Sequence, residues 1–428
     1  MNLEKSGYAR AASQAFHEAA TMYQCFLDFN VEDQDDEGDD TNNNNNGGNS
    51  NKAMTEDNEF AHVTSNSVSE VKCLLGYISV RLAHLSHDAM GDSKAAVRLY
   101  RDAVRIDPLP SSVSWHGVGT SLESATAGAE LGEAIEAYRM ARKLAPGSYR
   151  IAFDLAVALE RSSKRSAEEM IGREISFSEG KGGGDEEDSD GNLVLLKESE
   201  KIMEKLRRGG ADANSLVDSW GYVRWHMRKT PDIELNLHRG TRDMLKLALD
   251  AARPLIDFDK SKKQNGLVCE FGVASGRSMR MTKEILPLEV AAHGFDTFTG
   301  LPQAWGSEPA GSYSTGGVIP RVEGTVFFHK GLFSETIPPF LKENPNVPLA
   351  FANIDCDLYS STYDILELLH NRIVPGTVLI FDEYICHPTW RQDEFRAWRE
   401  CCKRFGWTYE YLAFSLSSKQ TVVRVISA

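Results

Sequence analysis

Three acidic residues at the ends of two predicted strands are candidates for binding a divalent cation. Asp355 ends the apolar run LAFANID at 349–355, and Asp382 and Glu383 end TVLIFDE at 377–383. Open α/β sheets bind ligands beyond the carboxyl ends of their strands, so we expect these carboxylates at one sheet edge. Hard oxygen ligands with an incomplete shell suit Mg²⁺, which lowers the pKa of a bound hydroxyl.

Acids in these segments are also predicted to act in proton transfer, and the alternative is a purely structural role. Asp355 is the predicted general base as well as a metal ligand. The alternative is that Asp357 and Asp382 only cap helices or loops, and Asp357 fits that role better because it precedes LYSST and the next helix. His387, in the loop ICHPTWRQ, is a candidate second base or substrate contact, and the alternative is a surface or capping residue.

A glycine turn after the first strand predicts a cofactor site. In EFGVASGRS, at 270–278, Gly272 and Gly276 let the backbone approach a ligand closely. Position 274 is Ala274 and no third glycine follows, so the dinucleotide pattern G-x-G-x-x-G is missing. Glu270 instead can accept hydrogen bonds from an ammonium group, which suits the amino-acid end of S-adenosylmethionine.

A second acid strengthens this prediction. Asp296 ends the next strand and is placed to accept hydrogen bonds from two ribose hydroxyls. Phe298 and Phe333 are candidates for flanking the adenine. The alternative is a structural turn with capping acids. The predicted cofactor-binding residues are Glu270, Phe271, Gly272, Ser275, Gly276, Ser278, Asp296, Phe298 and Phe333.

The elements that carry these residues predict an α/β domain. Apolar strands at 267–271, 293–296, 325–331, 349–355 and 377–383 alternate with helical stretches, as in a parallel sheet covered on both faces. After a helix at about 389–405, two strands at 407–414 and 421–427 are joined by SLSSKQ and form an antiparallel hairpin. The predicted fold class is α/β: a Rossmann-like seven-stranded methyltransferase sheet with a terminal antiparallel hairpin, plus an N-terminal all-α repeat segment.

The all-α segment contains an internal repeat. Six residues recur with a shift of 38 positions: Ala96, Val97, Tyr100, Ala103, Ile106 and Pro108 match Ala134, Ile135, Tyr138, Ala141, Leu144 and Pro146. Their spacing places them on one helical face. The pattern resembles the second helix of tetratricopeptide repeats. The alternative is a plain helical bundle with accidental similarity.

Two acidic tracts divide the chain and explain its charge. Residues 32–59 carry a net charge of −9 and residues 174–190 one of −6, which together account for the net charge of −15. The acidity therefore belongs to solvated tracts, and no basic stripe suggests nucleic acid. The predicted domains are a helical arm at 1–31, a disordered acidic and Asn-rich segment at 32–59, a tetratricopeptide-like domain at 60–173, an acidic Gly-rich linker at 174–195 and a methyltransferase domain at 196–428.

The length and composition of the chain further restrict the class of protein. At 428 residues the chain is long enough for two domains, and it contains no apolar run long enough to span a membrane. The N-terminus MNLEKSGYAR lacks a signal or transit pattern, so the predicted localisation is cytoplasmic. The seven scattered cysteines favour reduced thiols over a redox or zinc role.

The long Gly-, Pro- and Ser-rich segment at 303–324 predicts a lid over the site, and the alternative is a disordered insertion.

Six phrases in residues 266–427 resemble one family. EFGVASGRS, GFDTFTGLPQAW, KGLFSETIPPFL, IDCDLYSSTYDILELL, RIVPGTVLIFDEY and YEYLAFS…VVRVI are similar to class I methyltransferases related to the macrocin- and mycinamicin-type sugar O-methyltransferases. The resemblance implies Mg²⁺ at Asp355, Asp382 and Glu383, with Asp355 as base. It also implies S-adenosylmethionine at Glu270, Gly272, Gly276, Ser278 and Asp296. Catechol O-methyltransferases look similar at the metal acids, but this chain lacks their lysine after the fourth strand.

The leading hypothesis is an S-adenosylmethionine- and Mg²⁺-dependent O-methyltransferase acting on a hydroxylated small molecule or glycan. The helical repeats would bind a protein partner or mediate self-association. Two alternatives are an interaction scaffold with an inactive, cofactor-binding methyltransferase domain, and a protein methyltransferase. The characterised sugar enzymes lack such a repeat domain, so their substrates are not transferred to this chain.

Overall fold

The structure, a computed structural model, describes residues 72–89, 92–126, 129–177, 187–230, 232–238, 240–257 and 266–428. The predicted arm at 1–31 and the predicted disordered segment at 32–59 lie outside the described residues.

Helices occupy the chain before the sheet. Within the described ranges they are α1 at 72–84, continued by a π-helical turn at Leu85–Ala89, α2 at Ser93–Ile106, α3 at Ser112–Thr126, α4 at Leu131–Leu144, α5 at Tyr149–Phe177, α6 at Glu187–Arg207 and α7 at Ala211–Lys229. Helix α2 begins at an N-cap, Asp92, whose side chain accepts a hydrogen bond from the Ala95 N–H.

The two repeat helices bury the same face. The matching positions are buried in both helices: Ala96, Val97, Tyr100 and Ala103 in α2, and Ala134, Ile135, Tyr138 and Ala141 in α4. Both tyrosines pack on glycines of α3, where a Cβ at Gly117 or Gly119 would lie 2.3 or 2.5 Å from the ring. The common face thus reflects a common packing arrangement, while membership in the tetratricopeptide class stays a prediction.

Helices extend into both ends of the predicted linker at 174–195. Helix α5 continues to Phe177 and α6 begins at Glu187, while 178–186 lie outside the described residues. Side chains hold α5 and α6 together, since Ser199 Oγ donates to the Ala156 carbonyl over 2.7 Å and Ser163 Oγ to that of Asn192 over 3.0 Å. These contacts explain why an acidic, glycine-containing sequence continues as helix at its second end.

The described chain forms one sheet of eight strands, and not the seven that were predicted. The strands are β1 at Glu234–Asn236, β2 at Leu267–Phe271, β3 at Ala292–Asp296, β4 at Val326–Lys330, β5 at Leu349–Ile354, β6 at Val378–Phe381, β7 at Thr408–Ser415 and β8 at Thr421–Ser427. Their order is β1-β7-β8-β6-β5-β2-β3-β4, and only β8 runs antiparallel to its neighbours. The additional strand β1 pairs in parallel with β7 and has three residues, too few for an apolar pattern.

Helices cover both faces of this sheet. Five follow β1: α8 at Thr241–Ile256, α9 at Arg277–Ile285, α10 at Phe333–Glu343, α11 at Tyr359–Leu369 and α12 at Glu394–Phe405. The apolar faces of α8 and α9 pack in one core cluster with strand residues such as Val268 and Ile380. The second cluster joins residues of the first seven helices to the other strand face. The strands are buried on both faces, as their near-continuous apolar composition predicts.

Helix α7 holds the loop that follows β6. The Asp218 carboxylate accepts hydrogen bonds from Trp390 Nε1 at 3.1 Å and from Arg391 Nε and Nη2, each at 2.9 Å. Ser219 Oγ accepts from the backbone N–H of Cys386 at 2.8 Å. Since this loop continues directly from Asp382, α7 is structurally part of the domain that carries the predicted chemistry.

Removing the Asp218 carboxylate should destabilise the protein modestly. Trp390 is 2% exposed, so Asp218→Ala leaves a buried indole N–H without a partner, which costs about 1–3 kcal/mol. Asp218→Asn keeps an acceptor and should cost less. Urea unfolding monitored by fluorescence measures the difference. Glu204→Ala is the control, because this carboxylate forms exposed ion pairs with Arg207 and Arg208, and its loss should have no measurable effect.

No helix among the described residues is long and apolar enough to cross a membrane.

Candidate functional site

A pocket of about 320 Å³ lies at the carboxyl ends of the parallel strands. Residues that follow β2, β3, β4, β5 and β6 line it, so the strand order brings together segments distant in sequence. The lining consists of Gly272, Ala274, Asp296, Thr297, Gly300, Leu301, Pro302, Tyr313, Gly331, Leu332, Phe333, Asp355, Cys356, Asp357, Ser361, Asp382 and Glu383. Six of these were predicted as site residues: Gly272, Asp296, Phe333, Asp355, Asp382 and Glu383.

Close approach of neighbouring backbone segments requires glycine in this turn. Gly272 has φ +89°, and a Cβ there would lie 1.6 Å from the carbonyl oxygen of Asp355. The strands meet tightly at this point, since the Gly272 N–H donates to the Phe295 carbonyl at 3.0 Å and the Asp355 N–H to that of Phe271 at 2.8 Å. Gly276, with φ +75°, is the N-cap of α9. The turn thus contributes Gly272 and Ala274 to the pocket lining, so it presents backbone and at most a methyl group to the pocket.

Asp296 organises the same turn. Its Oδ2 accepts from the N–H groups of Val273 and Ala274 at 2.8 and 2.7 Å, and its Oδ1 accepts from Phe298 N–H at 2.6 Å. A carboxylate has about four lone-pair positions, so three backbone bonds leave capacity for a ligand hydroxyl. The acid predicted to bind ribose therefore also fixes the turn on which the cofactor would lie.

Glu270 is a buried acid with one unused oxygen. It is 2% exposed, and Ser278 Oγ donates to its Oε1 at 2.8 Å. Its Oε2 has no hydrogen-bond partner within the described part of the chain. Burial raises the pKa of Glu270 to about 8. A cationic ligand group at this oxygen would satisfy it and favour its ionised form.

The raised pKa of Glu270 predicts how stability depends on pH. Because folding raises the pKa of this acid above 4.5, the folded state binds its proton more tightly than the unfolded state does. This contribution is fully present below pH 4.5, falls as the pH rises towards 8, and is constant above that. Denaturant unfolding between about pH 5 and pH 9 should show the wild type losing stability relative to Glu270→Gln. Parallel curves for the two proteins would contradict the assignment.

The acids of β5 and β6 interact closely. Burial together with the neighbouring Asp382 charge holds the pKa of Asp355 well above its usual range. Burial also raises the pKa of Asp382, whose Oδ1 accepts from Gln420 Nε2, and it raises the pKa of Glu383 to about 7. Lys419 Nζ lies 3.1 and 3.2 Å from the two Glu383 oxygens.

The three acids share a pocket but do not form a metal centre in this conformation. Among the described residues, no group of three or more His, Cys, Asp or Glu side chains is arranged to hold an ion. Asp355 and Asp382 supply two adjacent hard oxygen donors, whereas Glu383 faces Lys419. Two of the three predicted ligands therefore fit a cation, and the third pairs with a cation of the protein.

The other predicted residues lie outside the pocket lining, and they include Glu270, Gly276 and Ser278. Phe271 is a fully buried strand residue stacked on Phe295, and Phe298 is 1% exposed. Ser275 lies on the exposed surface of the turn. His387 is 5% exposed, and its Nε2 lies 2.8 Å from the Glu383 carbonyl oxygen. The structure therefore gives His387 a place in bracing the loop.

Asp357 does not cap the following helix through its side chain, although the sequence favoured that role. Helix α11 begins at Tyr359 with Leu358 as N-cap, and no side-chain capping bond forms there. Asp357 instead lines the pocket with backbone φ +62°, a conformation that non-glycine residues rarely adopt. Its position immediately after Cys356 at a strand end was the signal that could have identified it.

The segment at 303–324, whose role as a lid stays a prediction, contributes Tyr313 to the pocket lining. Trp305 Nε1 donates to Asp393 Oδ2 at 3.1 Å, and Leu301 and Gly311 are hydrogen-bonded through their backbones. Tyr313, with φ +65°, lines the pocket. Lys419 and Gln420 come from the hairpin between β7 and β8, more than thirty residues after the acids that they contact. Tyr313, Lys419 and Gln420 were not singled out from the sequence.

The fold and the pocket define a class. An open parallel sheet that ends in an antiparallel hairpin, with a glycine turn and acids at its carboxyl edge, is the architecture of a methyltransferase-type α/β domain.

The comparison with protein families agrees with this class. Residues 321–405 match the family model described as Macrocin-O-methyltransferase (TylF). The matched segment contains Phe333, Asp355, Asp382 and Glu383, and it supports O-methyltransferase chemistry for this domain. It is about a fifth of the chain. No curated protein matches the chain.

Solved structures of O-methyltransferases are also similar. The calicheamicin methyltransferase CalS11 is 21% identical, with 54% of this chain and 92% of that one covered and a TM-score of 0.34. The O-methyltransferase NovP is 19% identical, with 49% and 99% covered and a TM-score of 0.30. TomG from Streptomyces achromogenes, in complex with SAM, is 15% identical, with 51% and 90% covered and a TM-score of 0.28.

Proposed function

We propose that this protein is an S-adenosylmethionine-dependent O-methyltransferase that acts on a hydroxylated small molecule or glycan. The observation that carries the proposal is that one pocket is lined by the glycine turn and Asp296 together with Asp355 and Asp382. A cofactor turn and a buried acid pair within one cavity allow a donor and an acceptor hydroxyl to be held side by side.

The residues around the turn fit the proposed cofactor. Glu270 Oε2, which has no partner among the described side chains and backbone, would accept hydrogen bonds from the cofactor ammonium. Asp296 has capacity left for one ribose hydroxyl, and Phe333 offers an aromatic wall. Gly272 lies so close to the Asp355 carbonyl oxygen that no Cβ can be accommodated there, which keeps the turn in place. The cofactor supplies an electrophilic methyl group when bound.

The chain's own residues account for proton transfer. Asp355 lines the pocket, and its ionised carboxylate would accept the acceptor's hydroxyl proton; burial raises the pKa of this carboxyl, which makes the ionised form a stronger base than an exposed aspartate. The pocket walls formed by Leu301, Pro302 and Phe333 exclude water around the acceptor. Positioning of the hydroxyl oxygen against the donor would supply most of the rate enhancement.

Magnesium fits the residues only in part, as the Lys419–Glu383 pair and the Gln420–Asp382 contact show. Neither the proton transfer nor the positioning of the hydroxyl oxygen depends on a metal. Asp355 and Asp382 are the residues that would hold one, and there it would favour ionisation of a bound hydroxyl. The magnesium requirement stays a prediction.

Calorimetry tests the proposal. S-adenosylmethionine is titrated into the full chain with EDTA and with Mg²⁺, followed by methyl-transfer assays on a panel of polyols and phenols. We expect cofactor binding in both buffers and at least a tenfold loss in Glu270→Gln, which removes a charged partner. Binding without turnover on any acceptor would favour the scaffold alternative. No binding would rule the proposal out.

A further inference from the structure

Tyr313 is an exposed aromatic residue in the lining of the pocket. It is 56% exposed, and no hydrogen bond, ion pair or ring contact joins its side chain to another residue in the described parts of the chain. A ring in this position buries little apolar surface, so it contributes little to the stability of the fold. It therefore borders the pocket with aromatic surface that the protein itself leaves uncovered.

The backbone at Tyr313 makes an aromatic residue unfavourable there. Tyr313 has φ +65°, in the left-handed region that residues with a Cβ rarely adopt. Gly311 and Gly316, on either side of it, have φ +88° and +66°, so the segment uses glycine for this conformation at other positions. Residues held in such conformations cluster at ligand sites, where a function balances the strain. Stability does not explain a tyrosine at this position, whereas contact with a ligand does.

Two side-chain hydrogen bonds hold the segment that carries Tyr313 against the part of the pocket where the proposed base lies. Gln303 Nε2 donates to Ser360 Oγ at 2.9 Å, and Trp305 Nε1 donates to Asp393 Oδ2 at 3.1 Å. Ser360 and Asp393 belong to the chain segments that follow β5 and β6, the strands that lead to the proposed base and its acidic neighbour. These contacts associate the segment with the acceptor side of the pocket.

Backbone hydrogen bonds fix the ends of the stretch in which the ring lies. Gly311 N–H donates to the Leu301 carbonyl at 2.9 Å, and Gly317 N–H donates to the Phe298 carbonyl at 2.7 Å. Tyr313 lies between these two anchor points, so its backbone is positioned before a ligand binds. A preorganised aromatic residue loses little conformational entropy on binding, and its contacts therefore contribute more fully to affinity.

We propose that Tyr313 binds the methyl acceptor by packing its ring against the apolar face of a ring-shaped molecule. The inference rests on the proposed function and narrows its acceptor class to cyclic compounds that carry a hydroxyl group. Leu301 and Pro302 supply further apolar contact in the same lining, and the Ser361 hydroxyl can hydrogen-bond to the polar rim of such a molecule. An open-chain polyol presents no flat apolar face, so the same residues select against it.

Two polyols of matched composition test the proposal. The cyclic compound is myo-inositol, and the open-chain compound is D-glucitol, which has the same numbers of carbon atoms and hydroxyl groups. Each is titrated by calorimetry into the full chain saturated with S-adenosylhomocysteine. We expect myo-inositol to bind more tightly, and Tyr313→Ala to weaken its binding by about three- to tenfold while changing D-glucitol binding by less than about twofold. Tyr313→Phe keeps the ring and should retain both wild-type affinities.

Two further variants separate binding from folding. Tyr313→Gly removes the ring and suits φ +65°, so its urea midpoint should stay close to that of the wild type while the preference for myo-inositol is lost. Tyr149→Ala is the control, because Tyr149 is 48% exposed and lies outside the pocket lining. This control should leave both affinities unchanged.

Equal affinities for the two polyols, absence of binding by both, tighter binding of D-glucitol, or an unchanged preference in Tyr313→Ala would overturn the proposal. Loss of the preference in Tyr313→Phe would assign the contact to the hydroxyl group and so reject packing of the ring. Failure of the proposed function is a different result, because it appears as absence of S-adenosylhomocysteine binding or of methyl transfer. A preference for myo-inositol that depends on Tyr313, without methyl transfer, would retain the contact and reject the reaction.

Discussion

Gly272→Ala should abolish cofactor binding and strongly destabilise the fold. The new Cβ would lie 1.6 Å from the Asp355 carbonyl oxygen and 2.6 Å from its carbonyl carbon. Backbone atoms cannot move aside as a flexible side chain can, and φ +89° adds strain for any residue with a Cβ. We expect a loss of about 4 kcal/mol or more in the free energy of unfolding, measured in urea.

Gly311→Ala separates strain from the clash. Gly311 has φ +88°, nearly the same as Gly272, but its Cβ would enter open space. This variant should lose about 1–2 kcal/mol and retain cofactor binding. If Gly272→Ala behaved like Gly311→Ala in both unfolding and S-adenosylmethionine titration, the close approach of the strands at the turn would be refuted.

Asp355→Asn should remove catalysis and leave the fold intact. The amide cannot take the acceptor's proton, so turnover should fall by about 100- to 10,000-fold, the usual contribution of a general base. Cofactor affinity should stay within about threefold, because the contacts proposed for the cofactor involve Glu270 and Asp296. Single-turnover methyl transfer and calorimetry measure the two quantities.

The pH dependence of stability gives this variant an internal control. The pKa of Asp355 is raised by burial and by Asp382, so its ionisation costs free energy in the folded state. This cost grows as the pH rises, and Asp355→Asn should then be at least as stable as the wild type. Asp250→Asn, on the exposed side of α8, should change neither activity nor this profile. Full activity in Asp355→Asn would exclude the proposed base.

The sequence predicted the architecture of the sheet well where apolar runs are long. The predicted strand 267–271 matches β2 at Leu267–Phe271, and the predicted hairpin forms as β7 and β8. β1 was missed because Glu234–Asn236 contains a single apolar residue, and only its pairing with β7 defines it. A long apolar pattern in the sequence indicates a buried strand directly, whereas a three-residue strand can be recognised only from its pairing with a neighbouring strand.

The sequence predicted those site residues that lie at or directly after the end of a strand. Gly272, Asp296, Asp355, Asp382 and Glu383 all meet in one pocket because parallel strands share an edge. The partners of the acids were not predictable, because they arrive from the distant hairpin loop. The resulting ion pair explains why three acids placed together need not form a three-ligand metal centre.

The side chain of Asp357 illustrates a different limit. An aspartate two residues before a helix is typical of a cap, and sequence gives no sign that its backbone is left-handed. In the structure this conformation directs the residue into the pocket lining. Local preferences were overridden here by the geometry of a strand end.

The short strand β1 has a practical consequence for recombinant work. It covers the outer side of β7 over Glu234–Asn236, where β7 would otherwise present unpaired amide and carbonyl groups on an eight-residue strand. A shortened protein that begins at Thr241 would expose those groups to other molecules, which is a known route to aggregation. A soluble catalytic fragment should therefore retain α7 and β1 at its amino end.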